Sequence, residues 1–306
     1  MKLKDIGKIV TGKTPSTKQL ENFSELDDKY LFVTPRDMKD NCKYIESTER
    51  YLTSFVEDKF KSQIIKKDSV CISCIGSDMG KVYMINRLGI TNQQINSITD
   101  IKDICNPHYL YYYFSDKKEY LKGIASGSTM PILNKSTFEN IEIDLPARNI
   151  QDKIVKILNN IDNKIELNNQ TNDNLLELIN DLYKESFSNI EGYKQADEIA
   201  NITIGKTPPR SNRECFTYNE DDIKWLSISD LGKCGMYAWN TSEKLTEDSV
   251  NKYNVKVIPE NTIVLSFKLT IGRIAITANK MATNEAIAHF NLLDNDMIYY
   301  LYFYLK

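Results

Sequence analysis

Two copies of one sequence pattern make up most of this 306-residue chain. Residues 1–115 recur in altered form between Gln195 and the last residue, Lys306. Matched segments keep their order while the offset falls only from 193 to 191: residues 12–15 with 205–208, 80–82 with 272–274, and 109–114 with 300–305. Chance similarity would not hold this order, and a period near 190 is far longer than the ~20–50 residues of a solenoid repeat. Each copy is therefore expected to fold as a globular domain.

The pattern within each copy predicts a mixed α/β (α+β) domain built mainly from short strands. Apolar and β-branched runs bounded by turn residues predict strands at residues 30–34, 69–75, 82–85 and 141–145, and again at 225–229, 262–267 and 274–277. Helical spacing that begins at Pro107 predicts one helix over residues 107–122. We expect a first domain over residues 1–146, a spacer over 147–190 and a second domain over 191–306.

The spacer has the sequence of one long helix. Residues 151–186 contain neither proline nor glycine, and at 1.5 Å per residue they would span roughly 50 Å. A strict 4-3 spacing, seven of whose nine members are apolar, selects a seam: Ile154, Leu158, Ile161, Ile165, Asn168, Asn172, Leu175, Ile179 and Leu182. This spacing predicts a coiled-coil seam, in which the two asparagines would fix register at some loss of stability. The alternative is a helix packed along its own domain.

The overall charge limits how this chain could bind nucleic acid. Its 39 basic and 42 acidic side chains leave a net charge of −3, whereas non-specific nucleic-acid binders usually have a strong basic excess. DNA binding would have to rest on local basic faces, on specific base contacts, or on a partner that adds charge. The sequence has neither an apolar run of about 18 residues nor a signal-peptide core, and its six cysteines follow no disulfide pattern. We therefore expect a cytoplasmic protein without a membrane span.

One segment matches a nucleotide-binding pattern but lacks its structural context. Residues 7–14 fit the P-loop signature, which requires a buried strand before the loop and a helix that begins at its lysine. Only six residues precede Gly7, and Pro15 disfavours helical dihedrals at Thr14. We interpret the match as accidental. An NTPase remains a remote alternative, for which Lys13→Ala would abolish ATP binding.

No other motif indicates catalysis or metal binding. Cys71 and Cys74 lie in an apolar run without a second cysteine pair, so we predict that they are buried core residues. The two histidines, His108 and His289, do not correspond between the copies. The sequence shows neither a methyltransferase loop nor a carboxylate pair that recurs in both copies. We expect a non-catalytic chain that binds no cofactor and no metal itself.

The features that do recur are polar and basic residues in loops. Arginine and lysine suit phosphate and guanine contacts, and asparagine and glutamine suit adenine edges. A solvated loop, or asparagines that hydrogen-bond within their own turns, is the alternative for each of them. The candidate DNA-binding residues are Lys13, Thr14, Ser16, Lys18, Arg36, Lys81, Asn92, Gln93 and Gln94 in copy one, and Lys206, Thr207, Arg210, Arg213, Lys268, Arg273 and Asn284 in copy two.

The ordered set of motifs resembles the specificity (S) subunit of Type I restriction–modification systems. Residues 3–16 look like the start of that family's target recognition domains, and residues 127–131 are similar to its Gly-Ser/Thr-rich loop. By this resemblance Ser128 and Thr129 join the candidate DNA-binding residues. Further matches are residues 67–70, Asn92-Gln93, residues 106–111, and Leu145-Pro146 followed by Gln151. No single motif is specific, but the set covers nearly the whole chain and occurs twice.

The resemblance implies a division of labour among subunits. Each target recognition domain would read one half of a split, asymmetric DNA site, and the helix would set the distance between the halves. The helix would also dock methylation (M) subunits, which carry S-adenosylmethionine, and a restriction (R) subunit would add cleavage. A second S chain or fragment is a further expected partner through the helix. Divergence between the two copies then implies two different half-sites.

The sequence departs from the family pattern at its end. Lys306 aligns with Ser115, so a counterpart of residues 116–190 is expected to be missing from the second, incomplete domain. A function of another class also stays open: an oligomerising scaffold whose paired α/β domains bind protein or carbohydrate. That alternative predicts a salt-insensitive partner and no affinity for DNA.

Overall fold

The computed structural model describes residues 1–38, 42–76, 78–126, 131–187 and 192–306. The chain divides into two compact units, Met1–Asn168 (unit 1) and Asn169–Lys306 (unit 2). The predicted Ser128 and Thr129 lie outside the described residues. Within the described ranges, no helix has the length and apolar character needed to cross a membrane.

Unit 1 is a mixed α/β unit with two small sheets. Its strands β1 to β9, within the described residues, are Lys8–Thr11, Phe23–Ser24, Tyr30–Val33, Tyr44–Ile45, Tyr51–Leu52, Val70–Ser73, Val82–Ile85, Gly89–Thr91 and Ile95–Thr99. One sheet has the order β1-β9-β6-β7-β4 and the other β2-β5-β3-β8. The pairs β4–β7 and β3–β8 are parallel, and the other pairs are antiparallel. Strands β6 and β7 are buried on both faces, which explains their largely apolar runs.

Short helices pack on both sheets of unit 1. Helices α1 to α5 are Leu3–Ile6, Glu57–Phe60, Pro107–Ser115, Lys118–Gly123 and Lys135–Glu139. Phe114 of α3 and Phe138 of α5 are fully buried and stack with ring centroids 6.5 Å apart. They belong to a core cluster that also contains Leu3, Ile9 and Ile72. This packing fixes β1, and with it the loop that follows β1.

Unit 2 repeats the sheet order of unit 1. Its strands β10 to β19, within the described residues, are Ala200–Ile204, Phe216–Thr217, Ile223–Leu226, Tyr237–Ala238, Glu243–Leu245, Val257–Ile258, Ile263–Ser266, Ile274–Thr277, Met281–Thr283 and Ile287–Leu292. The sheets have the orders β10-β19-β16-β17-β13 and β11-β14-β12-β18-β15. Apart from β15, whose counterpart in unit 1 is the single bridge between Ile65 and Gly89, the two units match strand for strand. The predicted duplication of a mixed α/β domain is confirmed.

The spacer forms one helix, α6, over Arg148–Phe187, slightly longer than predicted. Unit 2 then adds α7 (Ala196–Ile199), α8 (Ile228–Leu231), α9 (Glu247–Lys252) and α10 (Ile298–Leu305). In unit 1, α6 makes contact through Gln151 and Val155, which are buried. In unit 2, Leu176 and Tyr183 of α6 pack against the core that contains Phe303.

The contacts of α6 leave most of the predicted seam exposed. Val155, Leu176 and Tyr183 each follow a seam residue by one position, so the face that packs on the units lies beside the seam. Five apolar seam residues are 43–51% exposed: Ile161, Ile165, Leu175, Ile179 and Leu182. The pairing of this seam with another helix stays a prediction.

Two predicted elements of copy one were wrong. The single helix over residues 107–122 is divided into α3 and α4, because Ser115 turns its hydroxyl to the carbonyl of Tyr111 and the chain leaves helical geometry at Asp116. The strand over residues 141–145 is a single bridge between Glu142 and Lys2. Its pairing cannot extend, because α1 begins at Leu3.

Gln151 anchors the start of α6 to unit 1. Its side chain is fully buried, accepts from the N–H of Asn106 at 2.8 Å, and donates to the carbonyls of Ile104 at 2.9 Å and Pro146 at 2.8 Å. Gln151→Ala should lower the unfolding free energy of unit 1 by about 3 kcal/mol, since three buried backbone groups lose their partners. Denaturant titration followed by circular dichroism measures this change. Asn163→Ala, at an exposed position of the same helix, should be neutral or slightly stabilising, and an equal loss in both variants would contradict the assignment.

Candidate nucleic-acid interface

In unit 1, two loops that follow strand ends meet at one place. The loop after β1 begins with Gly12 and Lys13, and the loop after β8 contains Asn92 and Gln93. The N–H of Lys13 donates to the carbonyl of Thr91 at 2.8 Å, and the hydroxyl of Thr14 donates to Oε1 of Gln93 at 2.7 Å. The structure therefore brings together the predicted residues Lys13, Thr14 and Gln93.

Unit 2 builds the same loop pair after β10 and β18. The N–H of Lys206 donates to the carbonyl of Thr283 at 2.9 Å, and the hydroxyl of Thr207 donates to the carboxylate of Glu285. Glu285 thus occupies the place that Gln93 has in unit 1. It was not among the predicted site residues, although its alignment with Gln93 was the signal that could have identified it.

A close approach of backbone explains the glycine that begins each loop. A Cβ atom on Gly12 would lie 2.2 Å from the carbonyl oxygens of both Thr91 and Asn92. A Cβ atom on Gly205 would lie 2.1 Å from Oγ1 of Thr283 and 2.2 Å from the carbonyl oxygen of Asn284. The residue at this position must therefore lack a side chain, and this requirement fixes where the following lysine and threonine lie.

The paired asparagines shape their own turns. Oδ1 of Asn92 accepts from the N–H of Gln94 at 3.0 Å, and Oδ1 of Asn284 accepts from the N–H of Ala286 at 2.7 Å. The amide of Asn92 donates to Oε1 of Gln94 at 3.0 Å. The turn interpretation of these residues therefore describes their geometry, and DNA contacts by Asn92, Gln94 and Asn284 stay predictions.

Several of the predicted DNA-binding residues are exposed to solvent. Lys13 is exposed, with its ammonium 5.7 Å from the ring centroid of Phe60. Ser16 is exposed, and its carbonyl oxygen accepts from the side-chain amide of Asn22 at 3.3 Å. Further exposed members of the predicted set are Lys18, Arg36, Lys206, Arg213 and Lys268.

Three predicted basic residues are engaged within the fold. Lys81 donates to the carbonyl of Met38 at 3.3 Å, and its counterpart Arg273 donates to the carbonyl of Ile228 at 2.6 Å. Lys81 therefore links the β6–β7 hairpin to the turn after β3, and Arg273 links the β16–β17 hairpin to the turn after β12. Arg210 bonds both carboxylate oxygens of Glu243 at 2.9 Å and stacks over the ring of Phe216 at 4.0 Å.

The motifs that resembled catalytic signatures have structural roles. Lys8–Thr11 is a strand in the middle of the P-loop match, so these residues cannot form a loop that cradles phosphate. Burial raises the pKa of the Cys71 thiol to about 12 and that of Cys74 to about 11, so both stay protonated. Over the described ranges, no cluster of three or more histidine, cysteine and acidic side chains could hold a metal ion.

A half-buried polar cluster between α6 and unit 1 was not predicted. The ammonium of Lys43 lies 4.4 Å from the ring centroid of Tyr112 and donates to its hydroxyl at 3.1 Å. The same hydroxyl donates to the carboxylate of Asp162 and lies 2.8 Å from Oδ1 of Asn159. Burial lowers the pKa of Lys43 to about 8 against the opposing effect of Asp162. The cluster joins the helix to unit 1 beside the predicted seam.

Comparisons with known proteins agree with this architecture. The family model for the type I restriction modification DNA specificity domain matches residues 1–177 and 190–306. The chain is 28% identical to the MjaIX specificity subunit of Methanocaldococcus jannaschii, over all of this chain and 75% of that protein. It is 37% identical to the HindI specificity subunit of Haemophilus influenzae, over 53% of this chain and 37% of that protein.

A solved structure supports the fold. The crystal structure of a type I restriction–modification S subunit from M. genitalium superposes with a TM-score of 0.53 at 16% identity, over all of this chain and 75% of that one. Two copies of the domain, each with the same loop pair and joined by one long helix, and a family model that matches nearly the whole chain, lead to one assignment. The chain belongs to the type I restriction modification DNA specificity family, and it is a DNA-recognition protein and not an enzyme.

Proposed function

We propose that each unit reads one half of a split, asymmetric DNA target. The observation that carries this proposal is the loop pair, which both units build at the same place in the same sheet order but with different side chains. Lys13 and Lys206 would position the phosphate backbone, and the residues beside them would contact base edges. Different side chains at equivalent places favour two different half-sites over a palindrome.

The proposed role of α6 is that of a spacer and docking surface. We propose a spacer over residues 147–190, which contains α6, between recognition domains over residues 1–146 and 191–306. The exposed apolar seam residues, from Ile161 to Leu182, support docking because such a stripe on a surface helix is typical of a partner interface. Methylation subunits, or a second S chain or fragment, are the partners that we propose for it.

The chemistry would belong to the partner subunits. The methylation subunits would bind S-adenosylmethionine and methylate adenine, and the restriction subunit would cleave. A net charge of −3 fits this arrangement, since the partner subunits would supply part of the positive charge that contacts the DNA phosphates. We propose the cytoplasm as the compartment of the assembled complex.

Mapping of N6-methyladenine tests this function. The chain would be co-expressed with its neighbouring methylation subunit in a host without that activity, and the host genome would be sequenced for the modification. We expect methylation at one split motif that disappears when this chain is deleted. Methylation that does not change on deletion of the chain would refute the proposal.

Charge removal at the two loops should weaken DNA binding uniformly across sequences. Lys13→Ala and Lys206→Ala would each reduce the salt dependence of binding, log K against log [salt], by a slope of about 1, because each lysine would neutralise one phosphate. Binding of the assembled complex to a target duplex over a salt series measures this slope. Lys61→Ala and Lys280→Ala, at exposed positions outside the loops, serve as controls. Unchanged slopes in both loop variants would contradict the phosphate contacts.

A further inference from the structure

The two loop pairs present opposite hydrogen-bonding groups at one equivalent position. In unit 1 this position holds an amide, Gln93, and in unit 2 it holds a carboxylate, Glu285. Both side chains are exposed, and both accept a hydrogen bond from the threonine of the facing loop. The threonine fixes each side chain in place, so the two units differ here in chemistry rather than in position.

The threonine contact decides which group remains for an external partner. The hydroxyl of Thr14 holds Oε1 of Gln93 towards the facing loop, so the two N–H donors of Nε2 are the groups that this side chain presents to an external partner. One carboxylate oxygen of Glu285 is taken by Thr207, and the remaining oxygen can only accept. Unit 1 therefore offers a donor where unit 2 offers an acceptor.

At the exocyclic position of the major-groove edge, donors and acceptors separate the bases into two classes. Guanine O6 and thymine O4 are acceptors, whereas the exocyclic amines of adenine and cytosine are donors. At that position, a side chain that presents its N–H donors suits a keto base, and one that only accepts suits an amino base. The same loop geometry would then read different bases in the two half-sites.

We infer that Gln93 and Glu285 are specificity-determining residues, with Gln93 selecting a keto base in one half-site and Glu285 selecting an amino base in the other. The inference rests on the proposed function and adds the chemistry of one base in each half. Lys13 and Lys206, next to the two threonines, would hold the phosphate backbone close enough for this contact.

The fold offers a swap of the two side chains as a test. Gln93→Glu gives unit 1 the Thr–Glu pair of unit 2, and Glu285→Gln gives unit 2 the Thr–Gln pair of unit 1, so neither change introduces a pair that this fold does not already hold. Gln93→Ala removes the side chain without reversing its chemistry. Gln195→Glu and Glu260→Gln make the same charge changes at exposed positions outside the loops.

Each variant would be expressed as the full chain with the methylation subunit, and methylated sites would be counted genome-wide. We expect Gln93→Glu to shift one position of one half-site from keto to amino bases by at least about fivefold, and Glu285→Gln to do the reverse in the other half. Gln93→Ala should accept any base at that position, with the rest of the motif unchanged. The two control variants should reproduce the parent motif.

Several results would overturn the inference. They are an unchanged motif in both swap variants, a change in both half-sites from one substitution, or loss of methylation in Gln93→Ala while circular dichroism shows an intact fold. Failure of the proposed function is a different outcome, because the parent chain would then direct methylation to no split motif.

Discussion

Replacing Gly205 with alanine should destabilise unit 2 by about 3 kcal/mol and disturb its loop pair. The new Cβ atom would lie 2.1 Å from Oγ1 of Thr283 and 2.2 Å from the carbonyl oxygen of Asn284. One of these contacts involves backbone, so relief requires that a whole loop moves, and overpacking of this kind costs about 1–3 kcal/mol or more. The loop that must move carries Lys206 and Thr207, so DNA binding should fall together with stability.

The chain provides a selective probe for this measurement. Its two tryptophans, Trp225 and Trp239, both lie in unit 2, and Nε1 of Trp225 donates to the carbonyl of Lys206 at 3.4 Å. Denaturant titration followed by tryptophan fluorescence therefore reports on unit 2. Gly235→Ala is the matched control, because no atom lies within 4 Å of its Cβ position. Equal stability of the parent and Gly205→Ala would show that the close approach is not a constraint.

The duplication and the long helix were predictable from the sequence because both depend on local pattern. Short apolar runs bounded by turn residues indicated the strands, and a stretch without proline or glycine indicated α6. The face of α6 that contacts the units was not predictable, since Val155 and Tyr183 are no more apolar than the seam residues beside them. That choice depends on what the folded units place next to the helix.

The contacts that basic residues make within the fold were also not predictable from the sequence. Arg210 stacks over Phe216 in unit 2. In unit 1 the equivalent ring is Phe23, and the guanidinium of Arg50 lies 5.0 Å from its centroid. The two arginines come from different strands or loops, so alignment of the copies does not reveal that they do the same thing. Gly12 and Gly205 show the opposite case, in which a recurring residue indicated a real constraint without revealing which atoms impose it.

Mild acid should destabilise unit 2 through His289. This side chain is fully buried between the hydroxyls of Thr203, 2.9 Å from Nδ1, and Thr283, 2.6 Å from Nε2. Burial, aided by the positive charge of Lys256, lowers its pKa to about 4 from an unfolded value of about 6.5. Between these two values the unfolded chain binds a proton that the folded unit does not, so stability is complete above pH ~6.5 and is lost as pH falls towards 4.

A comparison with His289→Gln isolates this effect from the carboxylates. From pH 7 to pH 5 the parent should lose about 2 kcal/mol more unfolding free energy than the variant, as tryptophan fluorescence would report in denaturant titrations at each pH. Burial also lowers the pKa of His108, but that residue is present in both proteins and lies in unit 1, so it cancels. Parallel pH profiles would mean that His289 titrates normally in the folded unit. A steeper fall of the unfolding free energy in the parent would show that the folded unit requires a neutral His289. This histidine contacts Thr283, whose carbonyl accepts from the N–H of Lys206 at the base of the loop.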